Sequence, residues 1–388
     1  MSVLERVSPR TASRIADLET PCLLLDLDRL ENNCARMLAR TRALGVALRP
    51  HLKTAKSLDV ARLATGGEGG AVTVSTLKEA EFFARGGHRH VLCATAIVPQ
   101  KFAHAARIAR DTGCDLVLVT DALAVAHEAS RFAAVNKVTL SFLIEIDCGE
   151  HRSGLLADDP QVVEIARAID AVSTLRLRGV MTHAGHSYGT DDSREVASIA
   201  AVERDAAVTA AGAIRAAGLP CDIVSIGSTP TVLHVEHLAG VTEARAGIYM
   251  VFDLAQVSRN ICREDDIAVS VLASVIGHNR QGRAIILDAG ALALSKDISA
   301  NARRPDVGYG TVCDVRTLAR LGGLAVNGVH QEHGTVTIDD PTWFNRLPIG
   351  SLVRILPNHA CMTCAAHESY DVVRGDAVID RWPRINGW

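Results

Sequence analysis

At 388 residues, with 48% hydrophobic and 22% charged residues, the chain is large enough for two domains and suits a packed, soluble enzyme. A formal net charge of −3, with acids and bases interspersed and no basic tract, argues against nucleic acid as a partner. No apolar run is long enough to span a bilayer, residues 1–20 lack a signal-peptide core, and ten cysteines without a regular framework point to a reduced, cytoplasmic protein.

Taken in order, Thr20-Pro21-Cys22-Leu23-Leu24-Leu25-Asp26 predicts a short strand entered through proline. Asp28 caps a helix with Leu30, Cys34, Met37, Leu38 and Leu44 at helical spacing, and Gly45 ends it. From there apolar runs at 46–48, 71–74, 91–96, 116–119, 138–146, 175–181, 223–226 and 244–250 alternate with Ala-rich helical segments. These include 77–85, 101–110, 122–134, 162–171 and 194–217. Strands alternating with helices mean βαβ units and a parallel sheet. No Gly-x-Gly-x-x-Gly opens the first helix, so a closed α/β fold, the TIM-like (β/α)8 barrel, is expected over an open doubly wound sheet. After about Asp265 the texture changes. Short strands at 267–276, 283–287, 335–338, 352–356, 370–373 and 377–382, with no long helix between them, predict a C-terminal antiparallel β domain. The expected division is a barrel over 20–264 and a β domain over 265–388 joined by residues 1–19.

The stretch Arg49-Pro50-His51-Leu52-Lys53-Thr54-Ala55-Lys56 follows the first barrel run. A lysine on a fixed turn after a strand can be desolvated and made nucleophilic toward a carbonyl; otherwise these are two ordinary lysines at a helix start. Active sites of such barrels lie at the C-terminal strand ends. Those ends carry His51, Lys53, Ser75, Thr76, Thr95, Asp121, Asp147, His151, Arg152, Thr182, His183, Tyr188, Gly227 to Thr231 and Tyr249. Gly227, Ser228 and Thr229 offer N–H groups and hydroxyls to a phosphate, or form a plain turn. Tyr249 reaches the same phosphate or is a packed aromatic. His183 stacks on a planar ring or is a core histidine, and Arg152 donates to a phenolate or pairs with Glu150. A second cluster is Pro357-Asn358-His359-Ala360-Cys361-Met362-Thr363-Cys364-Ala365-Ala366-His367. In extended chain His359 and Cys361 face one side, and imidazole with thiolate suits Zn²⁺. The alternatives are a closed site that adds Cys364 and His367, or no metal.

Together these motifs resemble the fold-type III pyridoxal-phosphate enzymes of the D-serine dehydratase and D-threonine aldolase group. The likeness runs from Arg49-Pro50-His51-x-Lys53-Thr54-x-Lys56 through Thr73-Val74-Ser75-Thr76-Leu77-Lys78-Glu79-Ala80-Glu81, His151-Arg152-Ser153-Gly154 and Thr182-His183-Ala184-Gly185. It continues with Gly227-Ser228-Thr229-Pro230-Thr231, Gln331-Glu332-His333-Gly334 and Pro357-Asn358-His359-Ala360-Cys361. The resemblance implies an alanine-racemase-like barrel plus β domain, a homodimer, and a small D-amino acid as substrate. It implies that Lys53 carries pyridoxal 5'-phosphate, with His51, Arg152, His183, Tyr188, Gly227, Ser228, Thr229 and Tyr249 around it. His359 and Cys361 match the dehydratase branch, where they hold a divalent metal (Zn²⁺ ahead of Mn²⁺ or Mg²⁺); the aldolase branch carries His-x-Asp. The implied reaction eliminates water from a β-hydroxy-D-amino acid such as D-serine or D-threo-3-hydroxyaspartate and then hydrolyses the product to a 2-oxo acid and ammonia. Retro-aldol cleavage to glycine and an aldehyde is the alternative, and a non-catalytic pyridoxal-phosphate carrier the next. His186, Cys364 and His367 depart from the family pattern.

Overall fold

A strand covered on both faces needs apolar side chains on both, which is why barrel strands such as Asp115–Thr120 show Val and Leu without polar alternation, although Leu175–Thr182 begins with alternating Leu and Arg. The computed structural model describes residues 13–67 and 69–388. In it the strand Asp115–Thr120 is buried from its second residue to its last. Eight strands stand in the order Ala47–Leu48, Glu243–Ala244, Ile223–Ile226, Leu175–Thr182, Leu140–Asp147, Asp115–Thr120, His90–Ala96 and Val72–Val74, each parallel to its neighbour. The two ends of this row meet. His51 bridges Thr73 in parallel, the Leu52 N–H donates to the Thr73 carbonyl at 2.8 Å, and the Thr73 N–H donates to the Pro50 carbonyl at 2.9 Å. The row is therefore a ring, the expected (β/α)8 barrel.

Local chemistry sets the helices between the strands. Thr76 caps Leu77–Arg85 by accepting the Glu79 N–H at 3.1 Å, and that helix buries Leu77, Ala80, Phe83 and Ala84. Phe102–Thr112 stops where Gly113 adopts a left-handed φ of +67°. Leu92, Val117, Val119, Leu143 and Met181 pack as one cluster, each fully buried aliphatic side chain contributing about 1.5–3 kcal/mol.

The chain divides into two compact units. One is Cys34–Gly247 with Gly387–Trp388; the other runs to Asn33 and resumes over Ile248–Asn386, so the boundary falls inside the helix Leu27–Ala43. The second unit holds a sheet in the order Arg320–Ala325, Gly310–Asp314, Leu352–Pro357, Val269–Asn279, Cys22–Asp26, Ser369–Arg374, Ala377–Pro383. Ala284–Leu287, Gly334–Thr337 and Gly328–Val329 extend it.

Two expectations change here. Cys22–Asp26, read as part of the barrel range, pairs antiparallel with Val269–Asn279 and parallel with Ser369–Arg374. Its apolar side chains Cys22 and Leu24 pack with Ile15, Leu18, Leu272 and Val373. That one parallel pair makes the sheet mixed where an antiparallel one was expected. The strands Gly310–Asp314, Arg320–Ala325 and Gly328–Val329 also join it without having been read from the sequence. Residues 1–12, read as part of the β domain and as lacking a signal-peptide core, lie outside the described residues. Among the described residues no helix is long and apolar enough to cross a membrane.

The barrel's tolerance is tightest where strands approach. A Cβ on Gly179, whose φ is +137°, would lie 1.9 Å from the Ile223 carbonyl oxygen. Gly179→Ala is expected to destabilise the protein by at least about 2 kcal/mol. A urea midpoint equal to that of the parent would show that the two strands part freely.

Candidate functional site

Each barrel strand delivers its next residues to one end of the ring, and Leu52–Lys56 is the turn that follows the first strand. The Lys56 N–H donates to the Leu52 carbonyl at 2.8 Å, and Lys56 takes a φ of +49°. The two lysines of this turn differ sharply. Lys56 Nζ lies 3.3 Å from Glu79 Oε1, the carboxylate being almost fully buried, while Glu79 Oε2 accepts the Ser75 N–H at 2.9 Å. Lys56 is thus anchored. Lys53 is exposed, not desolvated as expected, and its N–H reaches His51 Nδ1 at 3.4 Å. Burial first, then Lys53, Arg245 and His183, hold the His51 imidazole well below its ordinary pKa, so its ring is neutral.

His183 follows the strand Leu175–Thr182 and is partly buried. Its Nδ1 donates to the Gly227 carbonyl at 2.8 Å, leaving Nε2 without a proton. Burial pulls its pKa to about 3 against that hydrogen bond, helped by Lys53, Arg245 and Arg152. Gly227 is required: at φ +146° a Cβ would lie 2.0 Å from the Arg245 carbonyl oxygen. The expected phosphate cradle is narrower than its sequence suggested. The Gly227 N–H donates to Glu203 Oε1 at 3.0 Å. Ser228 and Thr231 cap each other through backbone and side chain at the start of Thr229–His234. What remains is Thr229. Its Oγ1 is buried without a hydrogen-bond partner among the described residues, and its N–H donates to the Tyr188 hydroxyl at a long 3.4 Å. Arg152 is 57% exposed and lies 3.5 Å from Glu150.

Most other strand-end residues spend their polar atoms on loop structure. Thr95 Oγ1 donates to the Ser75 carbonyl at 2.8 Å, and Asp121 accepts the Gly154 N–H at 2.9 Å. Asp147 holds the His151 ring at 2.7 Å. Arg245 is 3% exposed and donates to Ser225 Oγ and the Thr182 carbonyl. Tyr249 belongs to the other compact unit, where it is buried in the turn Ile248–Met250.

In that second unit, Leu352–Pro357 ends and His359 becomes the N-cap of the helix Ala360–Ala365. Cys361 is therefore helical, and the extended-chain argument for its facing His359 does not apply. The two side chains nevertheless meet through a hydrogen bond. His359 Nδ1 donates to Asp297 Oδ2 at 2.7 Å, which leaves Nε2 for another partner. Burial lowers the His359 pKa, but Cys361, Asp253 and Asp297 together lift it to about 10. Asn358, fully buried, fixes the approach by accepting the Ala300 N–H at 2.9 Å and donating to the Gly308 carbonyl at 2.6 Å. Asp253 accepts the Ala360 N–H at 2.9 Å. The closed four-ligand arrangement is not assembled. His367 Nε2 donates to the Ala293 carbonyl at 3.0 Å, and Cys364 is fully buried, its thiol pushed up to about 11 by that burial. Among the described residues no group of three or more His, Cys, Asp or Glu side chains converges as a metal site.

Sequence reasoning missed Glu203, Asp253 and Asp297. Glu203 carried a signal: it interrupts the buried stripe Val196, Ala200, Ala207, Ala211 and Ile214 of the helix Ser193–Ala216. Asp253 and Asp297 stand in loops far from residue 359 and carried none.

The chain is similar to known proteins. Residues 25–255 match the family described as alanine racemase, N-terminal domain, and residues 268–373 match that described as putative serine dehydratase domain. D-threo-3-hydroxyaspartate dehydratase of Delftia sp. (strain HT23) is 43% identical over 376 residues, 96% of this chain and 98% of that one. D-serine dehydratase of Dictyostelium discoideum is 29% identical, over 93% of this chain and 95% of that one. A 3-hydroxy-D-aspartate aldolase of Paracoccus denitrificans (strain Pd 1222) is 31% identical, over 95% and 92%. The solved Delftia sp. HT23 dehydratase aligns with a TM-score of 0.92 at 42% identity, over 97% of this chain and all 100% of that one. A cysteine-to-alanine variant of D-threo-3-hydroxyaspartate dehydratase in the metal-free form aligns at 0.93, with the same identity and coverage.

The His183 environment has a measurable consequence. Its folded pKa, about 3, lies below the ordinary 6.5, so the folded chain binds fewer protons at this site than the unfolded chain. The stability this contributes is present above the ordinary value and is lost as pH falls toward 3. Between about pH 7 and about pH 4, the urea midpoint of the parent should fall more steeply than that of His183→Asn. Parallel curves would remove His183 from the groups that drive acid unfolding.

Proposed function

The chain belongs to the fold-type III family of pyridoxal-phosphate enzymes that contains the D-serine dehydratases and D-threonine aldolases, and from that membership we propose that it is a dehydratase of β-hydroxy-D-amino acids. The reaction would convert such a substrate to a 2-oxo acid and ammonia, one water being lost from Cα and Cβ and one consumed in releasing the amine. The observation that carries this reading is the His359–Cys361 pair, with the histidine's far nitrogen fixed by Asp297.

The residues present fit both groups. Lys53, exposed on its turn, would carry pyridoxal phosphate. The orphaned Thr229 hydroxyl, the Thr229 N–H and the Tyr188 hydroxyl would receive the phosphate. His183 and His51 present neutral rings beside Lys53. When bound, the cofactor supplies the electron sink that makes the substrate Cα–H acidic. Lys53 Nζ is the chain's own base to take that proton. His359 Nε2 and the Cys361 sulfur would hold a divalent cation, which supplies a Lewis acid for the departing hydroxide. A sulfur donor favours Zn²⁺ over Mn²⁺ or Mg²⁺, which prefer oxygen. We also propose that the enzyme is a homodimer. The 31% identity to an aldolase supports a second reading, in which the same groups cleave Cα–Cβ to give glycine and an aldehyde.

Products separate the two. D-serine, D-threonine and D-threo-3-hydroxyaspartate are supplied with and without a chelator. Ammonia and a 2-oxo acid, lost on chelation and restored by Zn²⁺ or Mn²⁺, are expected; glycine and an aldehyde would establish the aldolase reading instead. Lys53→Ala should abolish the visible absorbance of the bound cofactor, and an unchanged spectrum would remove Lys53 from its role.

A further inference from the structure

Glu203 lies on the helix Ser193–Ala216 and is fully buried. Its Oε1 accepts hydrogen bonds from Thr182 Oγ1 at 3.2 Å, from the Ala184 N–H at 3.0 Å and from the Gly227 N–H at 3.0 Å. Its Oε2 is buried with no hydrogen-bond partner among the described residues. Burying a carboxylate is costly, and leaving one of its oxygens unpartnered more so. A carboxylate placed this way serves its donors rather than its own solvation.

Those donors share one feature. Thr182 and Ala184 are the residues on either side of His183, and Gly227 is the residue whose carbonyl accepts from His183 Nδ1. One oxygen therefore fixes both flanks of the imidazole and the residue whose carbonyl selects its tautomer. It also turns the Gly227 N–H away from the loop, so that Thr229 is left to face a ligand. We infer that Glu203 is a positioning residue that holds His183 in the Nδ1–H tautomer and sets the Gly227–Thr229 loop for the cofactor phosphate. The inference rests on the barrel end being the pyridoxal-phosphate site.

Two variants test it. Glu203→Leu removes the acceptor and leaves three donors unmet. Glu203→Gln keeps a carbonyl oxygen at nearly the same place. The dissociation constant for pyridoxal phosphate, followed by absorbance, should rise at least tenfold in Glu203→Leu and roughly threefold in Glu203→Gln, as expected for the loss of about one buried hydrogen bond and of part of one. In ¹⁵N-histidine-labelled apoprotein, the His183 signals, assigned with His183→Asn, should show one tautomer in the parent and a mixture in Glu203→Leu. A carboxylate that only stabilises the helix would lower the melting temperature and leave both readouts unchanged. An unchanged dissociation constant and tautomer in Glu203→Leu overturn the inference. If that variant does not fold, an unchanged Glu203→Gln does so. A parent that binds no pyridoxal phosphate overturns the cofactor reading, and this inference with it.

Discussion

Two of the shortest strands of the barrel are held together by buried charge. The strands Ala47–Leu48 and Glu243–Ala244 are two residues long and share two register pairs. So short a ladder holds little by itself. Side chains supply the rest: Arg49 Nε donates to both oxygens of Glu243 at 2.9 Å, Ser225 Oγ donates to Glu243 at 2.7 Å, and Arg245 donates to Ser225 Oγ. A buried ion pair adds little over apolar packing, but losing one partner leaves an uncompensated charge and costs about 3–5 kcal/mol. Its value here is geometric. It fixes the seam from which the Leu52–Lys56 turn hangs.

That turn separates two residues of the same kind. Lys56 is tied to Glu79, which also holds the Ser75 N–H and so links the first strand end to the next. Lys53, three residues earlier, is left exposed between neutral imidazoles. Lys56 itself takes a positive φ, a conformation uncommon for a side-chain-bearing residue. Reactivity and anchoring are divided within one turn by what lies opposite each amine.

The barrel was legible because burial on both faces writes itself into composition: seven of the eight apolar runs hold a barrel strand and the eighth, 244–250, only touches one at Ala244 before it turns at Ile248–Met250. Cys22–Asp26 misled for the same reason. Its run Leu23-Leu24-Leu25 has the composition of a barrel strand, and only its partners, more than two hundred residues away in Val269–Asn279 and Ser369–Arg374, decide its sheet. Arg320–Ala325 escaped notice because Gly322 and Gly323, both at positive φ, break the alternation that marks a strand. At the sites, residue types were visible but not commitments. Nothing local says that Gly227 gives its N–H to Glu203, that Arg245 is spent on Ser225, or that Cys361 lies inside a helical turn. The first two are long-range hydrogen bonds, and a sequence records the donor without its acceptor.

The two histidines of the sites show how little the residue type decides. Both commit Nδ1 to an acceptor, His183 to a carbonyl and His359 to a carboxylate, and in both Nε2 lies outside that bond. Burial disfavours the charged ring in each. The surroundings then diverge. Lys53, Arg245 and Arg152 press His183 further toward neutrality, whereas Cys361, Asp253 and Asp297 overcome burial and hold positive charge at His359. A neutral ring suits the face of a planar cofactor. A ring set against a thiol and two carboxyl groups marks a place where positive charge is stabilised.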